Sequence, residues 1–147
     1  MNEFQKLGIS ARTAGILDKL GFTQPTPIQQ QAIPVLLGDN PVDLIGLAQT
    51  GTGKTAAFGL PLLELLDSQA TAVQALIMAP TRELAQQTAT QLRSFAANSI
   101  NIEVVYGGAA ISNQIKALRK SVQIVVATPG RLLDLIKRQA ISLKNVR

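Results

Sequence analysis

Apolar residues along this chain fall into two kinds of pattern. Short, nearly unbroken apolar runs occur at Asp43-Leu44-Ile45-Gly46-Leu47, at Val73 to Ala79 (VQALIMA), at Ile102 to Tyr106 and at Val122 to Ala127. Runs of that length predict strands covered on both faces, as in a parallel sheet. Between them, apolar residues recur every three or four positions, which predicts helices. Their ends are marked. Ser10 caps a helix over Ala11 to Leu20 and Gly21 stops it. Thr26 precedes Pro27 at a first helical position, and that helix runs to about Leu37 with Pro34 inside it at a cost. Gly38-Asp39-Asn40-Pro41 is a turn, and further helices are expected at 56–66, from the Pro80-to-Ala85 stretch to about Ala97, at about 112–120 and at 132–139. Strands and helices in alternation predict an α/β fold: a mostly parallel sheet with right-handed crossovers and helices on both faces.

The joint after the first run carries the densest chemistry. Ala48-Gln49-Thr50-Gly51-Thr52-Gly53-Lys54-Thr55 lies between a predicted strand and a predicted helix. That is the setting of a phosphate-binding loop, although the usual pattern starts with Gly rather than Ala48. Small residues let successive backbone N–H groups curl round a phosphate, and a helix N-terminus adds partial positive charge. Lys54 is placed to reach the β/γ-phosphates and the Thr55 hydroxyl to hold Mg²⁺. A glycine-rich strand-to-helix turn with an incidental lysine is the plainer alternative.

Ligands of parallel sheets bind beyond the carboxyl ends of strands. Three further clusters occupy such positions: Pro80-Thr81-Arg82, Gly107-Gly108 and Thr128-Pro129-Gly130-Arg131. They are expected on the edge that also carries the phosphate loop. Together they offer helix N-terminal amides, hydroxyls, glycines and arginines, which suit a sugar-phosphate backbone. Capping and helix initiation explain the same residues without a ligand.

Composition narrows the choice. A chain of 147 residues, 46% hydrophobic, fits one domain with a real core. There is no Cys and no His, which removes disulfides, thiolate metal sites and the commonest general base. No apolar run has membrane-spanning length and no signal-peptide core is present, so a cytoplasmic protein without a membrane partner is expected. Residues 1–70 carry net charge −2 and residues 71–147 net +7. The basic second half fits either a polyanion partner or a solvated Lys/Arg-rich surface.

Taken in order, these motifs resemble those of the DEAD-box RNA helicases. Gly21 to Gln29 (GFTQPTPIQ) is similar to the family's Q motif, with Phe4 seventeen residues upstream of Gly21 as its isolated aromatic. AQTGTGKT at 48–55 resembles motif I, in which alanine stands first. PTRELA at 80–85 resembles motif Ia, Gly107-Gly108 the GG motif and TPGR at 128–131 motif Ib. The resemblance covers nearly the whole chain. It implies an RNA-stimulated ATPase that locally separates short duplexes, with a RecA-like first domain. It implies that Gln29 reads adenine while Phe22 packs on the ring and Phe4 supports it. Ala48 to Thr55 bind ATP or ADP, with Thr50 to Thr55 cradling the phosphates and Lys54 and Thr55 in the catalytic roles. Pro80, Thr81, Arg82, Gly107, Gly108, Thr128, Pro129, Gly130 and Arg131 hold one RNA strand by its phosphates and riboses, without reading sequence.

One family feature is missing. No Asp-Glu-Ala-Asp occurs in the 147 residues, so the resemblance implies the N-terminal part of a first RecA-like domain without a second domain. Two other readings stay open: a piece that binds nucleotide or RNA without turnover, and a phosphate-loop enzyme unrelated to RNA.

Overall fold

The computed structural model describes residues 2–40, 42–49, 51 and 53–147. Thr50 and Thr52 of the predicted phosphate loop, and Pro41 of the predicted turn, lie outside the described residues. Two compact units divide the chain, Met1–Leu65 and Leu66–Arg147.

The first unit is built from helices α1 (Glu3–Lys6), α2 (Ala11–Lys19), α3 (Pro27–Leu36) and α4 (Lys54–Leu65). The short α1 is not foreshadowed by periodicity. It exists because Asn2 and Gln5 close a capping box, each side chain accepting the other's backbone N–H at 3.0 Å, and it turns Phe4 into the core. Ser10 caps α2, its side chain accepting from the Thr13 amide, and Leu20 is the C-cap before Gly21 at φ +87°. Glu64, near the end of α4, accepts from both the amide and the hydroxyl of Ser10. Pro34 sits in the last turn of α3, where its missing amide costs little further helix. Phe4, Ile9, Leu17, Ile33 and Leu60 form the buried interior of this unit.

The predicted strand over Asp43–Leu47 is corrected by the structure. Among the described residues the segment joins no ladder, and Ile45 and Leu47 are each 89% exposed. A strand is held by hydrogen bonds to a neighbour, and apolar side chains alone do not supply them. Val42, Leu44 and Gly46 instead line an open groove of about 470 Å³ with Ile28, Ala32, Leu36 and Phe58.

In the second unit the order is β1 (Ala75–Met78), α5 (Arg82–Ala96), β2 (Ile102–Val105), α6 (Ile111–Leu118), β3 (Ile124–Ala127) and α7 (Pro129–Lys137). The three strands are parallel in the order β1-β3-β2, with Ala75 and Ile102 both opposite Ile124, and Met78 and Val105 opposite Ala127. The step from β1 to β2 and the step back to β3 run in opposite directions across the sheet. Right-handed crossovers therefore put α5 and α6 on opposite faces. One face is closed by α6 and α7, with Val105, Val125, Ala127, Leu132 and Leu135 as its core. Helix α5 packs on β2 and β3 with Ala85, Ala89, Leu92 and Phe95 buried. All four residues of β3 are buried, as expected of a central strand.

The strands and helices at 73–127 thus stand where the apolar pattern puts them, shortened by a residue or two at their ends. Three helices begin earlier than expected. Helix α4 starts at Lys54 rather than Ala56 and α6 at Ile111 rather than Ser112. Helix α7 starts at Pro129 rather than Leu132, because proline's fixed φ suits a first helical position.

Candidate functional site

In the first unit the residues around the phosphate loop are arranged by its glycines. Gly51 and Gly53 have φ of +83° and +86°, a backbone that side-chain-bearing residues rarely adopt. The Gly53 carbonyl accepts from the Ala57 amide at 3.1 Å, which starts α4. It also accepts from Gln29 Nε2 at 3.1 Å. A Cβ at position 53 would collide with that Gln29 nitrogen and stand 3.0 Å from Thr26 Oγ1.

Gln29 is 2% exposed and its Oε1 accepts the Thr26 amide at 2.9 Å. Each end of the amide is therefore used once inside the protein, and each keeps a second hydrogen-bonding valence. The Thr26 hydroxyl is buried and makes no hydrogen bond. Phe4 lies in the core at 1% exposure, whereas Phe22 is half-buried. Ala48 is half-buried and Gln49 exposed. Lys54 is exposed as the first residue of α4, and Thr55 is half-buried in its first turn. Positive-φ glycines, a helix N-terminus and an exposed lysine fit a triphosphate. For a divalent cation Thr55 offers one hydroxyl oxygen. Among the described residues no group of three or more His, Cys, Asp or Glu gathers to complete a metal shell.

In the second unit, the parallel sheet delivers the three arginine- and glycine-bearing clusters to one edge. Pro80, Thr81 and Arg82 follow β1, Gly107 and Gly108 follow β2, and Thr128 to Arg131 follow β3. Thr81 caps α5, its hydroxyl accepting from the Leu84 amide at 3.2 Å. Pro129 and Gly130 are exposed at the start of α7, after the half-buried N-cap Thr128.

Side chains bind these junctions to one another. The Arg82 guanidinium lies 4.7 Å from the centre of the Tyr106 ring, a cation–π contact between the β1 and β2 ends. Gly108, at φ +86°, lets the loop pass beside Arg82, with Nη1 4.0 Å from where a Cβ would be. Arg131 donates to Gln114 Oε1 at 2.9 Å and to the Ala109 carbonyl at 3.1 Å, joining the β3 and β2 ends. Gln114 Nε2 donates to the Tyr106 carbonyl at 3.0 Å.

Gln114 is the residue that motif reading overlooks. Its signal is positional: Ile111, Gln114, Ile115 and Leu118 follow helical i, i+3, i+4, i+7 spacing, and the glutamine holds a place where an apolar residue is expected. Gln29 stands in the same way among Ala32, Ile33 and Leu36.

The chain is 50% identical over 145 residues to the DEAD-box ATP-dependent RNA helicase CshA of Streptococcus pneumoniae, covering 98% of this chain and 27% of that protein. It thus spans about a quarter of the length of that curated relative. A DEAD box protein from Methanococcus jannaschii superposes with a TM-score of 0.91 at 44% identity, over 98% of this chain and 39% of the other. The RNA-helicase Prp28 from Chaetomium thermophilum, bound to ADP, gives 0.88 at 41% identity, over 99% and 37%. Residues 26–147 match the DEAD/DEAH box helicase family, and the chain belongs to that family.

Proposed function

We propose that this chain supplies the ATP-binding loop and part of the RNA-binding surface of an ATP-dependent RNA helicase. The observation that carries the reading is the joining of three βα junctions at one sheet edge by Arg82 on Tyr106 and Arg131 on Ala109 and Gln114. Solvated surface arginines need no such fixing, whereas a phosphodiester strand is held by donors set in place beforehand. The relatives' names support the substrate: CshA is an ATP-dependent RNA helicase, and Prp28 is an RNA-helicase seen with ADP.

In this reading Gln29 uses its second donor and second lone pair on the adenine edge, with Phe22 beside the ring and Phe4 behind it. The amides of the 48–55 loop and the Lys54 ammonium take the phosphates. Bound ATP supplies the free energy of phosphoryl transfer, with Mg²⁺ as its counter-ion and the Thr55 hydroxyl as one ligand. Arg82, Thr81, Gly107, Gly108, Thr128, Gly130 and Arg131 take phosphates and riboses, so RNA is chosen by single-strandedness rather than sequence. Tyr106 carries Arg82 over one face of its ring, which leaves at most the other face for a base.

Titration of the chain with ATP and GTP tests the nucleotide half. ATP should bind at least about tenfold more tightly, because a glutamine amide matches adenine and leaves guanine's groups unpaired. Gln29→Ala should compress that ratio; equal affinities in the unsubstituted chain would remove the assignment.

A further inference from the structure

We propose that Gln114 is a positioning residue for RNA: its side-chain amide holds the Arg131 guanidinium on the 106–110 loop, so that β2 and β3 present one preset phosphate cradle. The inference rests on the RNA reading above and adds to it a residue outside the recognisable motifs. Gln114 is only 9% exposed on α6, and it faces two partners that leave its amide no choice of orientation. Arg131 can only donate and the Tyr106 carbonyl can only accept, so Oε1 must face the arginine and Nε2 the loop.

The second arm of the clamp is the Ala109 carbonyl, which takes the other terminal nitrogen of Arg131 at 3.1 Å. Two donors of a planar five-donor fork are thereby fixed, and the rest have no partner among the described residues. Fixing the plane in advance matters because an arginine that must be immobilised on binding loses rotamer entropy then. The same amide ties the Tyr106 carbonyl, next to the ring that carries Arg82, so both arginines are referred to one buried glutamine.

The experiment measures affinity of the 147-residue chain for a single-stranded RNA oligonucleotide by fluorescence anisotropy at low salt. The variants are Gln114→Met, Arg131→Ala, their double, and Arg131→Lys. Methionine keeps the volume and removes both hydrogen bonds. Gln114→Met should weaken RNA binding about tenfold, the scale of one lost charge-assisted hydrogen bond, and leave ATP affinity unchanged. Arg131→Ala and the double variant should bind alike, because the glutamine acts through the arginine.

Arg131→Lys keeps the charge but cannot span both acceptors, so it should lose about as much as Gln114→Met. That variant leaves the buried glutamine in place and decides the matter if Gln114→Met does not fold. Unchanged binding by Gln114→Met or Arg131→Lys overturns the proposal, as do additive losses in the double variant. If Arg131→Ala binds RNA like the parent, the RNA reading of this edge falls first and the proposal with it.

Discussion

Gly53 answers two demands at once. Its backbone has φ +86°, and the space a side chain would need is taken by Gln29 and Thr26. Gly51 meets only the first demand, with φ +83° and nothing within 4 Å of an added Cβ. Alanine at 51 should therefore cost about 1–2 kcal/mol of left-handed strain. Alanine at 53 carries that strain and also pushes Gln29 off the loop, so it should lower both the melting temperature and ATP affinity more than Gly51→Ala. Thermal melts and ATP titrations of the two variants check the order; equal effects would mean the Gln29 contact does not hold the loop. Buried glutamines do similar work elsewhere. Gln123, 2% exposed, accepts from the Asn101 amide at 2.8 Å and donates to the Ala70 carbonyl at 2.8 Å.

Helices α5, α6 and α7 all start at the same sheet edge, and two of those starts carry an arginine that motif reading singled out. If Arg82 contacts phosphate, Arg82→Ala should weaken binding to unrelated RNA sequences alike. It should also reduce the slope of log affinity against log salt by about 0.7 per lost contact on a single strand. A salt series with several oligonucleotides of different sequence measures this, and loss confined to one sequence contradicts backbone contact. The β-strand cores and the helices of this unit were legible because apolar runs and caps such as Thr81 and Pro129 act locally. The run at 43–47 misled for the opposite reason: whether Leu44 and Ile45 form a strand depends on a partner that no local pattern contains. Helix α1 was illegible because four residues show no period. Gln114 was illegible because its partners, Arg131 and the Tyr106 carbonyl, are defined only by the fold.

For the chain as a whole, the exposed run at 42–47 has a measurable outcome. Val42, Ile45 and Leu47 are 60%, 89% and 89% exposed, and contiguous apolar surface of that kind drives association. The purified chain should self-associate in sedimentation or light scattering, and Ile45→Lys with Leu47→Lys should suppress it. The monodisperse variant is also the proper sample for measuring phosphate release with and without RNA. Unaltered association would place the sticky surface elsewhere. The strand order has a consequence in time. Among the described residues β1 and β2 each pair only with β3, which comes last, and Ala75 and Ile102 await Ile124. On a ribosome adding about 5–20 residues per second, β2 emerges some 1–4 s before the strand that will join it to β1. Through that interval α5 and α6 have no sheet to close upon, so nascent chains halted before position 124 should be cut by protease more readily than chains halted beyond Ala127.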